Sequence, residues 1–404
     1  MWLRNWLIVC LIPLAMATQA VDNEALRAVS QGTNEFSSSL VQAVIEENQG
    51  NLIMSPISAA IVLAMASYGA RGETENQFKR VLHLPSPESL GTAGYQALID
   101  SLNNVKENKL SVANKVFATD KFPVKPAYQQ LTASFFRSAT QSVDFAKSVE
   151  AANIVNTWVQ QNTNNLIKSI VNPDDLSSDT ALVLVNAVYF KGQWKNKFNS
   201  NFTKPMPFHI NENTVRDVPT MYRQGSYKHG NIESLNAQFI EIPYKGGELS
   251  MVIILPNEIN GLAECERKMR DMNMNDILNQ GYSRDVQLFL PKFKIESKID
   301  LRSVLIKLGL TDMFTTHANF SGMADGPLAV SKVVQKAFIE VNEEGSEAAA
   351  VTATFMGLTG FAPIKFPPRI LKIDRPFLYS CIQKTKIKET LNTVVLFSGH
   401  INTL

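Results

Sequence analysis

Cysteine is scarce in this chain, with three residues among 404. That excludes a disulfide framework, which needs a dense, even set in a far shorter sequence. Cys10 lies inside an N-terminal apolar run. Cys265 and Cys381 remain, either to pair or to stay buried as small apolar residues, and we read them as buried and free. Histidine is nearly as sparse. The five are scattered and none forms His-Glu-x-x-His, so a zinc hydrolase has no ligand set. The sequence also lacks a Gly-x-Ser-x-Gly elbow, a phosphate loop and a dinucleotide glycine fingerprint. Acidic pairs such as Asp174-Asp175 and Glu343-Glu344 read as solvated turns rather than acid–base dyads. Neither a metal, a cofactor nor a conventional enzyme is expected.

A dominant charge is missing as well. Lys and Arg number 39 against 37 Asp and Glu, a net charge of +2, so nothing calls for nucleic acid or an acidic membrane. Basic residues in 106–137 are dispersed rather than striped, which leaves glycosaminoglycan binding unsupported. No stretch beyond the N-terminus is long and apolar enough to span a membrane. There Arg4 precedes an apolar stretch at 6–17, well short of the roughly 20 residues a spanning helix needs. Small residues at 15–17 and 18–20 complete a signal-peptide pattern, with removal expected near Ala20, a mature domain at 21–404 and secretion. Sequons at Asn201 and Asn319 fit that route.

What the sequence does contain is a helical first part and a strand-rich second part. Leu26, Val29, Phe36, Leu40, Val41, Val44 and Ile45 recur mostly at spacings of three and four, as on one helix face. Ser55-Pro56 opens a second helix, with Ser55 as cap and Pro56 at the first position; 57–67 is apolar almost all round and therefore buried. Gly69 and Gly72 stop it, and Thr74 with Gln77 reads as a capping box for a short helix. The span 149–170 reads as one helix, as do 262–278 and 301–308, the last stopped by Gly309. Residues 181–190 form a near-continuous apolar run, the mark of a strand buried on both faces. Further strands are expected at 239–242, 249–255, 286–293, 329–341 and 394–398. No repeat or linker divides the chain, so one large α+β domain is expected.

The stretch 341–350, Val-Asn-Glu-Glu-Gly-Ser-Glu-Ala-Ala-Ala, stands apart. A strand runs into acidic residues, a glycine and small residues, and about two dozen residues without periodicity follow. Loops of that length in compact domains are usually functional or disordered. If this segment became a strand, Ser346, Ala348, Ala350 and Thr352 would share one face. All are small, as insertion over a packed core requires. Gly345 would supply the joint.

This segment resembles the hinge of inhibitory serpins. Residues 51–58 (Asn-Leu-Ile-Met-Ser-Pro-Ile-Ser), 186–194 (Asn-Ala-Val-Tyr-Phe-Lys-Gly-Gln-Trp) and 371–378 (Leu-Lys-Ile-Asp-Arg-Pro-Phe-Leu) resemble further serpin motifs, in the family's order. The resemblance covers essentially the whole mature chain. It implies the serpin fold, a single large domain with a helical N-terminal part, three β-sheets and an exposed reactive-centre loop at about 343–370. It implies a monomeric suicide inhibitor that forms a covalent 1:1 complex with a target serine protease. A carrier, storage protein or chaperone on the same fold is the alternative, and the small hinge residues argue against it. By the same resemblance Glu343, Glu344, Gly345, Ser346, Glu347, Ala348, Ala349 and Ala350 form the hinge. Ser55, Ser58 and Asn186 belong to the shutter where the main sheet parts. Trp194, Lys292 and Glu343 belong to the breach where insertion starts. Gln335 stands where the family often has histidine; its amide both donates and accepts, so a hydrogen-bond network is expected to survive.

Counting forward from Glu343, the resemblance places the reactive bond between Thr359 and Gly360. Counting back from Pro376-Phe377 places it at 362–365. The forward count is preferred, because insertion length fixes how far a protease is carried. Thr359, or the alternatives Leu358 and Phe361, would suit an elastase- or chymotrypsin-like pocket. Lys365 would suit a trypsin-like one.

Overall fold

The computed structural model describes residues 3–270, 272–344, 367–387 and 390–404. The helices are α1 (Leu3–Glu47), α2 (Pro56–Gly69), α3 (Gly72–Val81), α4 (Glu88–Asn103), α5 (Pro126–Phe136), α6 (Ser148–Asn162), α7 (Leu262–Met269), α8 (Met274–Asn279) and α9 (Arg302–Lys307). The strands are β1 (Leu52–Met54), β2 (Lys109–Thr119), β3 (Gln141–Val143), β4 (Leu182–Lys191), β5 (Lys204–Asn211), β6 (Thr214–Ile232), β7 (Ala237–Pro243), β8 (Leu249–Pro256), β9 (Tyr282–Pro291), β10 (Phe293–Asp300), β11 (Val330–Val341), β12 (Arg369–Lys372), β13 (Phe377–Ile387) and β14 (Thr390–Ile401).

Among the described residues these strands make two hydrogen-bonded networks. The central sheet has five strands in the order β10-β11-β4-β2-β3, and the other network has nine. Counted by hydrogen bonds, two of the three expected sheets are joined. The 19-residue β6 pairs with β9 over most of its length and with β7 at its end, and so links them.

The central sheet is buried on both faces, which explains the apolar run in β4. Leu182, Leu184, Val188 and Phe190 join the core that contains α2, whereas Val183, Val185 and Ala187 join the core under α6. Period-two alternation sends neighbouring residues to opposite layers, and both layers are apolar. Helix α2 is buried at every position, as its all-round apolar pattern requires.

Several expected boundaries move, each because of a distant partner or a backbone turn. Helix α3 begins at Gly72, ahead of Thr74, and no capping box forms. Instead the Thr74 hydroxyl accepts from Asn319 N, and Gln77 Oε1 accepts from the backbone N–H groups of Thr311 and Asp312. The helix expected over 149–170 ends at Asn162, because Asn164 and Asn165 adopt positive φ of 51° and 59°. The span 262–278 is two helices. The strand expected at 286–293 breaks at Lys292, whose N–H turns to Pro219 O, so β9 and β10 belong to different sheets. Gly309 closes α9 at φ 104°, as expected.

Candidate functional site: the β4–β11 seam

β11 and β4 are parallel neighbours, paired from Val330↔Leu182 to Ile339↔Phe190. Both outer contacts of this pair are antiparallel, β10 with β11 and β2 with β4. The seam is therefore a parallel joint with one antiparallel joint immediately on either side. β11 leads directly to Asn342, Glu343 and Glu344. The remaining hinge residues Gly345, Ser346, Glu347, Ala348, Ala349 and Ala350 lie outside the described residues. So do the bait candidates Leu358, Thr359, Gly360, Phe361 and Lys365.

A row of amides crosses the middle of the seam. Asn114 on β2, Asn186 on β4 and Gln335 on β11 are register partners. Each alternates with residues of the α2-side core, so all three project toward α2. Gln335 Oε1 accepts from Ser55 N at 2.8 Å. Its Nε2 donates to Ser55 O at 2.8 Å and to Asn186 Oδ1 at 2.6 Å. Asn186 Nδ2 donates to Ser58 Oγ and to Asn114 Oδ1, and Ser58 Oγ donates to Asn114 Oδ1 at 2.9 Å. Ser55 has the backbone of a cap residue, but its hydroxyl donates to Leu396 O on β14 and not to α2. Ser55, Ser58, Asn186 and Gln335 have no measurable exposure. Buried amides are tolerated here because they satisfy one another. The glutamine does so with donor and acceptor both engaged.

The upper end of the seam carries a second cluster. Trp194 stacks on Tyr244, with ring centroids 4.5 Å apart and planes 7° from parallel, and its Nε1 donates to Asn342 O at 2.9 Å. The Glu343 carboxylate takes Lys292 Nζ at 2.7 Å on one oxygen and the Thr203 hydroxyl at 2.7 Å on the other. Lys292 reaches it from the corner between β9 and β10. Glu344 lies 3.8 Å from Lys191 and is exposed. Burial pushes the Glu343 pKa up, but hydrogen bonds from Lys292 and Thr203 outweigh it and hold the group below the usual carboxylate range. A depressed pKa means that this contact stabilises the fold above the unfolded value of about 4.3 and is lost as pH falls through the folded one. In a Trp158→Phe background of the 21–404 chain, Trp194 emission should therefore change on acidification below about pH 4. Glu343→Gln should abolish that titration. A transition of equal size in the variant would show that another group drives it.

Asn114, Tyr244, Thr203 and Asn342 complete these clusters and were missed as site residues. Asn114 had a readable signal, an amide between Val112 and Val116 on the core face of a strand. Thr203 was visible only as the last residue of a sequon. Asn201 and Asn319 themselves are exposed. Cys265 and Cys381 are buried and unpaired, and burial raises both thiols to about 12. Among the described residues no group of three or more His, Cys, Asp or Glu is placed to hold a metal, and no helix is long and apolar enough to cross a membrane.

A mixed domain with this central sheet and this seam is a serpin. The family model described as Serpin (serine protease inhibitor) matches residues 31–404, and the chain belongs to that family. Among its relatives, antitrypsin of Bombyx mori is 35% identical over 395 residues, covering 97% of this chain and 98% of its own. Antichymotrypsin-2 of the same species is 36% identical, covering 87% and 94%. Among solved structures, Serpin48 of Tenebrio molitor superposes with a TM-score of 0.81 at 32% identity, covering 93% of this chain and 98% of its own.

Proposed function

We propose that this chain is a secreted suicide inhibitor of serine proteases, a monomer that traps its target in a covalent 1:1 complex by inserting its cleaved loop into the β4–β11 seam. The observation that carries this reading is the direction of the strands. A segment that leaves β11 at Glu344 and turns back beside it runs antiparallel to β11, and so also antiparallel to β4. Insertion exchanges one parallel joint for two antiparallel ones, the slightly more stable pairing. About a dozen new ladder residues at roughly 1 kcal/mol each would contribute on the order of 10 kcal/mol.

In this mechanism the protease serine attacks the Thr359 carbonyl and the Gly360 amine leaves, giving an acyl-enzyme. Insertion then separates the ester from intact catalytic geometry before water cleaves it. Trp194, Glu343 and Lys292 form the breach that must yield first. Ser55, Ser58, Asn186 and Gln335 form the shutter that must part. The N-terminal apolar run and the exposed sequons at Asn201 and Asn319 support export.

Thr359 and its neighbours favour an elastase- or chymotrypsin-like target. The names of the two Bombyx mori relatives point to different proteases and do not choose between them. Reaction with elastase, chymotrypsin and trypsin, followed by denaturing electrophoresis and sequencing of the released peptide, tests the reading. We expect a detergent-stable complex with one of the first two and a new N-terminus at Gly360. Cleavage by all three with no such complex would refute inhibition. A new N-terminus at Phe366 would move the bait to Lys365.

A further inference from the structure

On the face of the seam turned away from the amide row, two rings bridge β4 and β11. Tyr189 on β4 and Phe338 on β11 are register partners, with ring centroids 5.8 Å apart and planes 28° from parallel. Tyr189 alternates with residues of β4 that face α6 through Val183, Val185 and Ala187, and Phe338 does the same on β11 through Val334. Both rings therefore lie on the α6 side, and both are buried. Lys294 of β10 completes the group, its Nζ 5.3 Å from the Phe338 ring centroid.

The ring contact is confined to the joint that must open. Along this row the partners are Ser111, Tyr189, Phe338 and Glu296, on β2, β4, β11 and β10 in turn. Ring meets ring only between β4 and β11. The next row down this face pairs Ala187 with Lys336, whose ammonium turns to Glu296 and to Ser169 O. Upward, the seam ends one pair later, at Phe190 and Ile339. A segment entering from the breach meets the aromatic row before any other row on this face, and before the amides. A strand placed between β4 and β11 moves them from about 4.8 Å to about 9.6 Å apart and sets a residue between the rings. Stacked rings need centroids within about 7 Å, so this contact does not survive insertion.

We propose that Tyr189 and Phe338 form a lock that sets the rate at which the seam admits a strand. The lock rests on the insertion reading and adds to it the pair that governs its speed. A fluorescent synthetic peptide with the sequence of residues 345–358 supplies a strand without a protease, and native electrophoresis follows its uptake by the uncut 21–404 chain. Phe338→Val and Tyr189→Val keep a strand-favouring side chain and remove a ring. Each should speed uptake about three- to tenfold, the change expected when one aromatic pair leaves the barrier. The double variant should be no faster than the faster single one, because the same contact is lost once. Phe320→Leu, in an aromatic pair with Phe78 outside the central sheet, should leave the rate unchanged. Equal uptake by the unaltered chain and Phe338→Val would overturn the lock and leave insertion standing. Additive effects in the double variant, or equal acceleration by Phe320→Leu, would overturn it too. A peptide that enters no chain, the unaltered one included, would overturn insertion and the lock with it.

Discussion

Ser346→Arg or Ala348→Glu is expected to turn the inhibitor into a substrate. Both positions would lie on the inward face of the inserted strand, over a core that is apolar on both sides of the central sheet. Burying an unpaired charge there costs several kcal/mol, a large share of the order of 10 kcal/mol that insertion would contribute. The outcome is a race between insertion and hydrolysis of the acyl-enzyme. A rise of about 1.4 kcal/mol in the insertion barrier shifts that race tenfold toward hydrolysis. The variants should be cleaved at the normal rate and consumed in several-fold excess over the protease inactivated. Titration of residual protease activity against inhibitor concentration measures this. Wild-type stoichiometry in either variant would refute insertion.

The second large effect is expected in the shutter. Gln335→Leu keeps the volume but leaves Ser55 N–H and Asn186 Oδ1 without their hydrogen-bond partner. Each buried orphan costs about 1–3 kcal/mol, so a loss of about 2–6 kcal/mol is expected. Gln335→His retains one donor and one acceptor and should lose less. Urea unfolding measures the difference. Hydrogen exchange should also accelerate in β4 and β11 more than in β7 and β8, because the orphaned groups sit at the seam. Uniform acceleration would mean that the row of amides supports the whole domain and not this joint.

Much of this frame was legible in the sequence, for local reasons. Residues 57–67 are apolar all round, and the structure buries every position of α2. Residues 181–190 are apolar without alternation, and β4 lies between two cores. What was illegible depends on partners far along the chain. Gln77 resembles half of a capping box, yet its partner is Thr311, and nothing within α3 announces that. Lys292 sits inside an apolar alternation that continues past it, and only the turn to Pro219 O splits the strand. The polar residues of the seam gained meaning from motif order, since an asparagine within 181–190 reads locally as a flaw. The structure adds the reason for its place there, a register row shared with Asn114 and Gln335.

The most direct test of the account is the structure of the 21–404 chain after a single cut in its loop. The account predicts a six-stranded central sheet, with the segment after Glu344 running antiparallel between β4 and β11. The Gln335–Asn186 bond would be broken and Trp194 released from Asn342 O. A cut chain that still pairs β11 with β4, with that bond intact, would contradict it.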